Sequence, residues 1–561
     1  MRVRVPLPAS RFARCAAAGR ARLITGGGPV RRWHTATVGQ GQLSHRQIMV
    51  VYSGLMLGML LAALDQTIVA TALPTIVGDL GGLNHLSWVV TSYILASTIS
   101  QPLYGKLGDL YGRKRLFQFA IVVFLAGSAL CGISQNMGEL ISFRALQGIG
   151  AGGLMVGALA IIGDIVPPRE RGRYQGYMGG VFAISSVVGP LLGGFFVDNL
   201  SWRWVFYVNL PVGILALVVI AAVLQSSTER HSHRIDVEGA VLLTIGAGAL
   251  TLGLTWGGTQ YPWGSATIVG IFVAGFVAVA LFALQERRAA EPILPPRLFA
   301  NGIFNASAAV SFLVAVAMFG AIVYLPLFLQ VVHEVTPTSS GLRLLPLMAG
   351  VLTASILSGR TISKIGRYRP FPIAGTALMT VGMWLLSRIG IGTSYLFLSI
   401  AMLVLGIGMG LVMPVLVLAV QNAVEPRDLG TATSGSMFFR SIGGSFGVAI
   451  FGAIFSNRLG FWLPRTLPPS ANLHGGSAAT LLHSSPARLK ALPAGVHQGL
   501  IEAFANSLHA VFLWAVPFGI VAFVVSLFLR EVPLRERSEL PVGEAEGADF
   551  GLQPGSARPA P

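Results

Sequence analysis

The chain has 561 residues, of which 53% are hydrophobic and only 11% charged, and its mean hydropathy is +0.70. That balance excludes an ordinary soluble enzyme or binding module and describes an all-α polytopic membrane protein. A formal charge of +17 would point to nucleic acid in a soluble chain. Here the Lys and Arg residues fall in short loops on alternate sides of apolar stretches, so the excess is a topology signal and no nucleic-acid partner is expected.

The chain opens on a basic tail. Arginines run from Arg2 to Arg46, and the first acidic residue is Asp65. Residues 1–47 read as a disordered cytoplasmic tail, with a transit peptide or an over-extended start ahead of Met49 as alternatives. Beyond it, a bilayer core needs about 20 apolar residues per helix. Candidate spans on that rule are 48–73, 86–106, 116–135, 140–166, 174–197, 204–224, 237–256, 265–285, 303–330, 340–362, 371–388, 394–422, 431–456 and 508–530, which makes fourteen. An even number places both termini on one side. Lys106 to Arg115, Arg169 to Arg173, Arg230 and Arg234, Arg287 to Arg297, and Lys364 to Arg369 all follow even-numbered spans. Short loops after odd-numbered spans, such as Gly78 to His85 and Gly257 to Gly264, are nearly free of Lys and Arg, with Arg203 the main exception. Both termini are therefore predicted cytoplasmic.

Span 1 ends Leu64-Asp65-Gln66-Thr67-Ile68-Val69-Ala70-Thr71-Ala72-Leu73-Pro74. An ionised carboxylate inside the hydrocarbon region costs about 2.5 to 3.5 kcal/mol, so Asp65 must face a watery cavity, be paired, or be protonated. It is a candidate proton carrier or a site for cationic substrates; a packing aspartate held by Gln66 and Thr67 is the simpler alternative. Span 2 ends in a compact charged turn, Gly105-Lys106-Leu107-Gly108-Asp109-Leu110-Tyr111-Gly112-Arg113-Lys114-Arg115. Its glycines allow helix ends to approach closely, and Asp109 can accept from backbone N–H groups or from an arginine. Such a turn suits a movable latch.

Span 4 opens Leu140-Ile141-Ser142-Phe143-Arg144-Ala145-Leu146-Gln147, followed by Gly148, Gly150, Gly152 and Gly153. Arg144 cannot lose its charge and needs carboxylate or carbonyl partners inside a bundle, with Glu139 a possible screen. The glycines spell G-x-G-x-x-G, but no strand precedes them, and close helix packing is the better reading. Span 5 carries Gly180 and then Gly189-Pro190-Leu191-Leu192-Gly193-Gly194, with Asp198 and Trp202-Arg203-Trp204 beyond. Proline removes a backbone donor and bends the helix, while small residues admit a neighbour.

The latch turn has a weaker echo at Gly359-Arg360-Thr361-Ile362-Ser363-Lys364-Ile365-Gly366-Arg367. Alignment pairs Gly105 with Gly359, Asp109 with Ser363, Gly112 with Gly366 and Arg113 with Arg367. Spans 1–6 and 9–14 are then two repeats, and spans 7 and 8 an inserted pair. Because Ser363 replaces the aspartate, a charge-based latch is expected to be stronger in the first half.

Span 13 contains Arg440 and, just after it, Gly443-Gly444-Ser445-Phe446-Gly447. The latter matches a nucleophile pattern but lies in a membrane helix rather than a strand-to-helix elbow, so an enzyme is not expected. Arg440 marks a possible second-half cavity, where it is either an inner anchor for anionic groups or a packing arginine bonded to carbonyls. No carboxylate joins it in that span, which argues against polyvalent cations as cargo. The last outer loop, 457–506, ends in an amphipathic stretch, Val496 to His509, that could lie along the outer membrane surface, with a plain solubilising linker as the alternative. Cys15 and Cys131 do not suggest a disulfide, and no metal or cofactor motif is present.

Four of these segments, in this order and on these spans, resemble the major facilitator superfamily, in particular its fourteen-span drug:proton antiporters of the EmrB/QacA type. The resemblance covers about residues 48 to 530. It rests on Leu64 to Pro74, Gly105 to Arg115, Arg144 to Gly152 and Gly189 to Gly194. It implies two six-helix bundles around a central cavity, at 48–224 and 302–530, with two extra transmembrane helices within 225–301 and a cytoplasmic tail at 531–561. By the same analogy Gly105, Asp109, Gly112 and Arg113 form a cytoplasmic latch, and Asp65, Arg144 and Gln147 serve proton coupling or substrate. Gly189, Pro190, Gly193 and Gly194 would be the antiporter motif. The implied activity is multidrug efflux across the plasma (inner) membrane, with protons, a small-molecule substrate and membrane lipid as partners. Export of a lipid or lipoglycan envelope component on the same fold is the alternative.

Overall fold

In a bilayer the backbone must satisfy its own hydrogen bonds, and long apolar runs do so as helices. The computed structural model describes residues 45–80, 86–223, 236–258, 260–335, 337–468 and 493–534, and these are helical almost throughout. In the first half, α1 is His45–Leu80, α2 Leu86–Tyr111, α3 Arg113–Ile133, α4 Met137–Ile165, α5 Pro168–Asn199, α6 the short Trp204–Tyr207 and α7 Asn209–Val223. Then come α8 (Val237–Trp256) and α9 (Ala266–Glu286). The second half comprises α10 (Pro296–Phe299), α11 (Gly302–Val331), α12 (Pro337–Arg343), α13 (Leu345–Ile365), α14 (Pro370–Leu386), α15 (Tyr395–Ala423), α16 (Leu429–Thr466) and α17 (Ala494–Leu527).

Among the described residues, twelve helices are long and apolar enough to cross a membrane. They carry twelve of the fourteen expected spans. The other two fall on α2, which buries Ser92, Ser97, Ser100 and Gln101, and on α14, an apolar helix of 17 residues.

Two elements differ from the sequence-based expectation. Helix α16 continues to Thr466, and α17 begins at Ala494, so both reach well into the stretch read as an outer loop. Leu500, Phe504 and Leu508 do not lie on a membrane surface; they are buried in the second-half core, with the Phe504 ring 5.6 Å from that of Phe455. The apolar stripe is the same in either case, and α11 and α16 supply its cover. The basic tail at 1–44, the rest of the outer loop and the end of the C-terminal tail lie outside the described residues.

The halves meet through equivalent pairs of helices. An added Cβ on Gly105 of α2 would strike Ser434 of α16 and stand 2.7 Å from the Gly430 carbonyl oxygen, and one on Gly359 of α13 would strike Gly172 of α5. Helix ends at Gly112 and Gly366 both turn through positive φ, 93° and 77°. These shared contacts and turns give the sequence echo a structural counterpart. Helices α8 and α9 pack on each other, and Leu243, Ala247 and Phe282 join Phe438 of α16 and Ile99 of α2 in one apolar cluster at the seam.

Candidate functional site

Asp65 lies on the buried stripe of α1 with Leu61, Ile68, Val69 and Ala72, whereas Gln66 points to an exposed position. On α4, Leu140, Arg144, Gln147, Gly148 and Ala151 repeat at helical spacing and are buried together. The two stripes face each other. Arg144 Nη1 donates to Asp65 Oδ2 at 2.5 Å and to Gln147 Oε1 at 2.8 Å, and Gln147 Nε2 donates to Asp65 Oδ1 at 2.8 Å. Asp65 is 0% and Arg144 1% exposed. Its partners are thus the arginine and glutamine of α4, not its neighbours Gln66 and Thr67.

Three further residues complete the network. Asn209, at the start of α7, donates to Asp65 Oδ1 at 3.1 Å and to Ser128 Oγ at 3.0 Å; the Ser128 hydroxyl donates to the Phe206 carbonyl. The guanidinium of Arg144 stacks 4.2 Å above the Tyr93 ring and donates through Nε to the Val89 carbonyl. Gly127 makes room for this: a Cβ there would stand 2.7 Å from the Gln147 Cα, so α3 and α4 touch backbone to backbone beside Ser128. Sequence reading did not single out Asn209, Ser128 or Tyr93. The available signal was an amide and a hydroxyl within apolar runs, where each needs a partner.

Glu139 does not screen Arg144. It closes the N-terminus of α4, accepting from the Gln135 N–H at 2.9 Å while its own N–H donates to Asn136 Oδ1. That is a reciprocal cap, and it leaves the carboxylate at the helix end. The glycines that follow serve packing, as expected: Gly148 and Gly152 lie against Tyr93 and Ser97 of α2, Gly150 and Gly153 against Phe124 and Ala120 of α3.

At the opposite end of α2 the charged turn crosses between halves. Asp109 accepts from the Gly430 N–H at 3.1 Å and from the Thr431 N–H and hydroxyl at 2.8 and 3.0 Å. Those amides belong to the first turn of α16, where the helix dipole favours an anion. Arg113 donates to Asp109 at 2.7 Å, to Asp164 at 2.5 Å and to the Ala160 carbonyl at 2.7 Å. In the echo, Ser363 donates to its own helix at Gly359 and makes no such crossing. Beside the turn, Lys106 pairs with Glu291 at 2.6 Å, and Arg297 with Asp428 through two bonds of 2.9 and 2.7 Å.

Along α5, Gly189 and Gly193 press on Thr67 and Thr71 of α1, and Thr67 Oγ1 lies 3.0 Å from the Ser185 carbonyl oxygen. Pro190 sits inside that helix, while a Cβ on Gly194 would meet nothing within 4 Å. The motif is therefore unequal: two glycines form the contact and the third does not. Arg203, the exception to the charge pattern, donates to the Gly132 and Ser134 carbonyls at the end of α3, at 2.9 and 2.8 Å. Arg440 stands apart from the Asp65 network, on α16 of the second half, with Nη1 3.9 Å from Met413 Sδ.

The chain has extensive similarity to known transporters. The family model for the Major Facilitator Superfamily matches residues 55–448. An uncharacterized MFS-type transporter of Mycobacterium tuberculosis is 46% identical over 487 residues, covering 87% of this chain and 70% of that protein. The multidrug transporter protein MdtP of Bacillus subtilis is 39% identical over 530 residues, covering 91% of this chain and 97% of that protein. Among solved structures, the proton:xylose symporter XylE aligns with a TM-score of 0.58 at 15% identity, covering 88% of this chain and 98% of that one; this likeness concerns the fold alone. These matches place the protein among transporters rather than enzymes. On the combined evidence of helices, motifs and relatives, the chain belongs to the Major Facilitator Superfamily.

Proposed function

We propose that this protein is a proton-coupled exporter of small hydrophobic or amphipathic compounds, working by alternating access in the plasma membrane with both termini cytoplasmic. The observation that carries the reading is the Asp65–Arg144 pair, a carboxylate sealed from solvent and held by three side-chain donors within the first bundle. A buried acid of this kind is costly, and pairing with an arginine that keeps its charge offsets part of that cost in this arrangement. A proton reaches it only when the bundle opens. Neutralising Asp65 then weakens its hold on Arg144 and changes which arrangement is favoured, since a proton shifts the equilibrium by its differential affinity for the two.

The crossing from Asp109 to α16 would be the latch of the arrangement described, and in this reading it closes the cytoplasmic side. Relatives named as multidrug transporters support export of varied compounds. The experiment is dye efflux from vesicles with and without a collapsed pH gradient, repeated in Asp65→Asn protein at matched membrane level. Gradient-driven efflux should disappear in the variant; undiminished efflux would remove the coupling role.

A further inference from the structure

Arg440 lies eleven residues into α16, about 16 Å from its first turn by helical rise, and so at membrane depth. Its neighbour Ser441 donates to Gln101 of α2 at 3.3 Å, which turns this part of α16 toward the seam between the halves. Arg440 itself is only partly buried there, and its guanidinium reaches the thioether of Met413 on α15. A thioether is a weak, uncharged acceptor. Among the described residues no carboxylate pairs with Arg440 and no backbone carbonyl accepts from it, so it is not a packing arginine. Nor do the neighbouring helices hold a counter-ion in reserve: α11, α13, α14, α15 and α16 contain no Asp or Glu, Glu502 of α17 is exposed about one turn from where Gly499 meets Thr466 at the far end of α16, and the Asp65 carboxylate is already held by Arg144.

A guanidinium at this depth without a counter-ion is poorly compensated, and its planar fork matches a carboxylate through two parallel bonds. The Met413 thioether lies against it, and one turn further along α16 the Phe319 ring packs against Gly444. We propose that Arg440 is the anchor for the anionic group of an amphipathic monocarboxylate, whose apolar part rests against Met413 and Phe319. This assignment rests on the transport reading and narrows it, from hydrophobic compounds in general to amphipathic anions.

The test uses the purified full chain in discs of neutral lipid, titrated with a dansyl-labelled fatty acid and with its methyl ester. Both probes share the apolar body, and only the acid carries the charge. The expected result is acid binding about tenfold tighter than ester, a preference lost in Arg440→Gln with ester binding unchanged and partly kept in Arg440→Lys. Equal affinity for acid and ester in the unaltered protein, or an undiminished preference in Arg440→Gln, overturns the proposal. If the glutamine variant does not fold, the acid-against-ester comparison in the unaltered protein decides alone. Displacement of the acid by added phosphatidylglycerol would assign the anchor to lipid phosphate and overturn the monocarboxylate; its absence supports a free amphipathic acid. Binding is read at equilibrium without a pH gradient, so failure here is separable from failure of proton-driven efflux.

Discussion

Asp109 and Thr431 are 322 residues apart in sequence, yet both the N–H and the hydroxyl of Thr431 donate to one carboxylate oxygen of Asp109. The contact binds the first half to the opening turn of α16 in the second. Because Arg113 bridges that carboxylate and Asp164, the crossing is part of a charged cluster rather than a lone bond.

Asp109→Asn should weaken this crossing without dissolving either bundle. Loss of a charge at a partly buried helix N-terminus costs about 1 to 2 kcal/mol, which shifts the balance between arrangements by about tenfold. Spin labels on Arg115 and Arg427, both exposed near this end, would report a larger population of long distances. An unchanged distance distribution would show that the crossing does not hold the halves together.

Removing one member of a buried ion pair strands the other, at about 3 to 5 kcal/mol. Asp65→Asn and Arg144→Gln should each lower thermal stability in detergent. The double variant should recover most of that stability and still lack gradient-driven efflux. Recovery of efflux together with stability would reduce the pair to a structural role.

The glycines of α5 should respond unequally. Gly193→Ala places a methyl 2.9 Å from the Ile68 carbonyl oxygen and against Thr71, an overpacked contact worth about 1 to 3 kcal/mol. Gly194→Ala meets open space and gains helix propensity, so stability should stay level or rise by up to about 1 kcal/mol. Thermal melts of both variants check the contrast, and equal losses would contradict the packing described.

Gly112 and Gly366 provide a second contrast. Gly366 is a left-handed helix cap, at φ 77° and ψ 7°, which asparagine also adopts. Gly112 stands at φ 93° and ψ 128°, where a side chain is strained by about 1 to 3 kcal/mol. Gly366→Asn should therefore express and transport nearly as the parent does, and Gly112→Asn should not. Membrane levels and efflux of the two variants, measured side by side, would expose the error if they behave alike.

Much of this was legible along the chain because the signals are local. Apolar runs disclose membrane helices, since the cost of burying a polar group is incurred residue by residue. The same cost made Asp65, Arg144, Asp109 and Arg440 conspicuous, and the glycines at 112 and 366, paired in the sequence echo, both turn through positive φ. A carboxylate at position 109 was readable as an acceptor for backbone N–H groups or an arginine, and it takes both.

Only the tertiary structure decided who the partners are. Asp65 is bound by groups 79 to 144 residues away, and Asp109 by a helix 321 residues on. Periodicity shows which face of a helix is apolar but not which other face will cover it, so Val496 to His509 read as a surface helix or a linker although its apolar stripe is buried in the second-half core. Asn209 and Ser128 went unmarked because amides and hydroxyls often satisfy themselves within their own helix. Arg440 is the converse case. Its charge was evident in the sequence, but its lack of a counter-ion emerges only when every neighbour is in place, because Coulomb pairing depends on distance through space rather than along the chain.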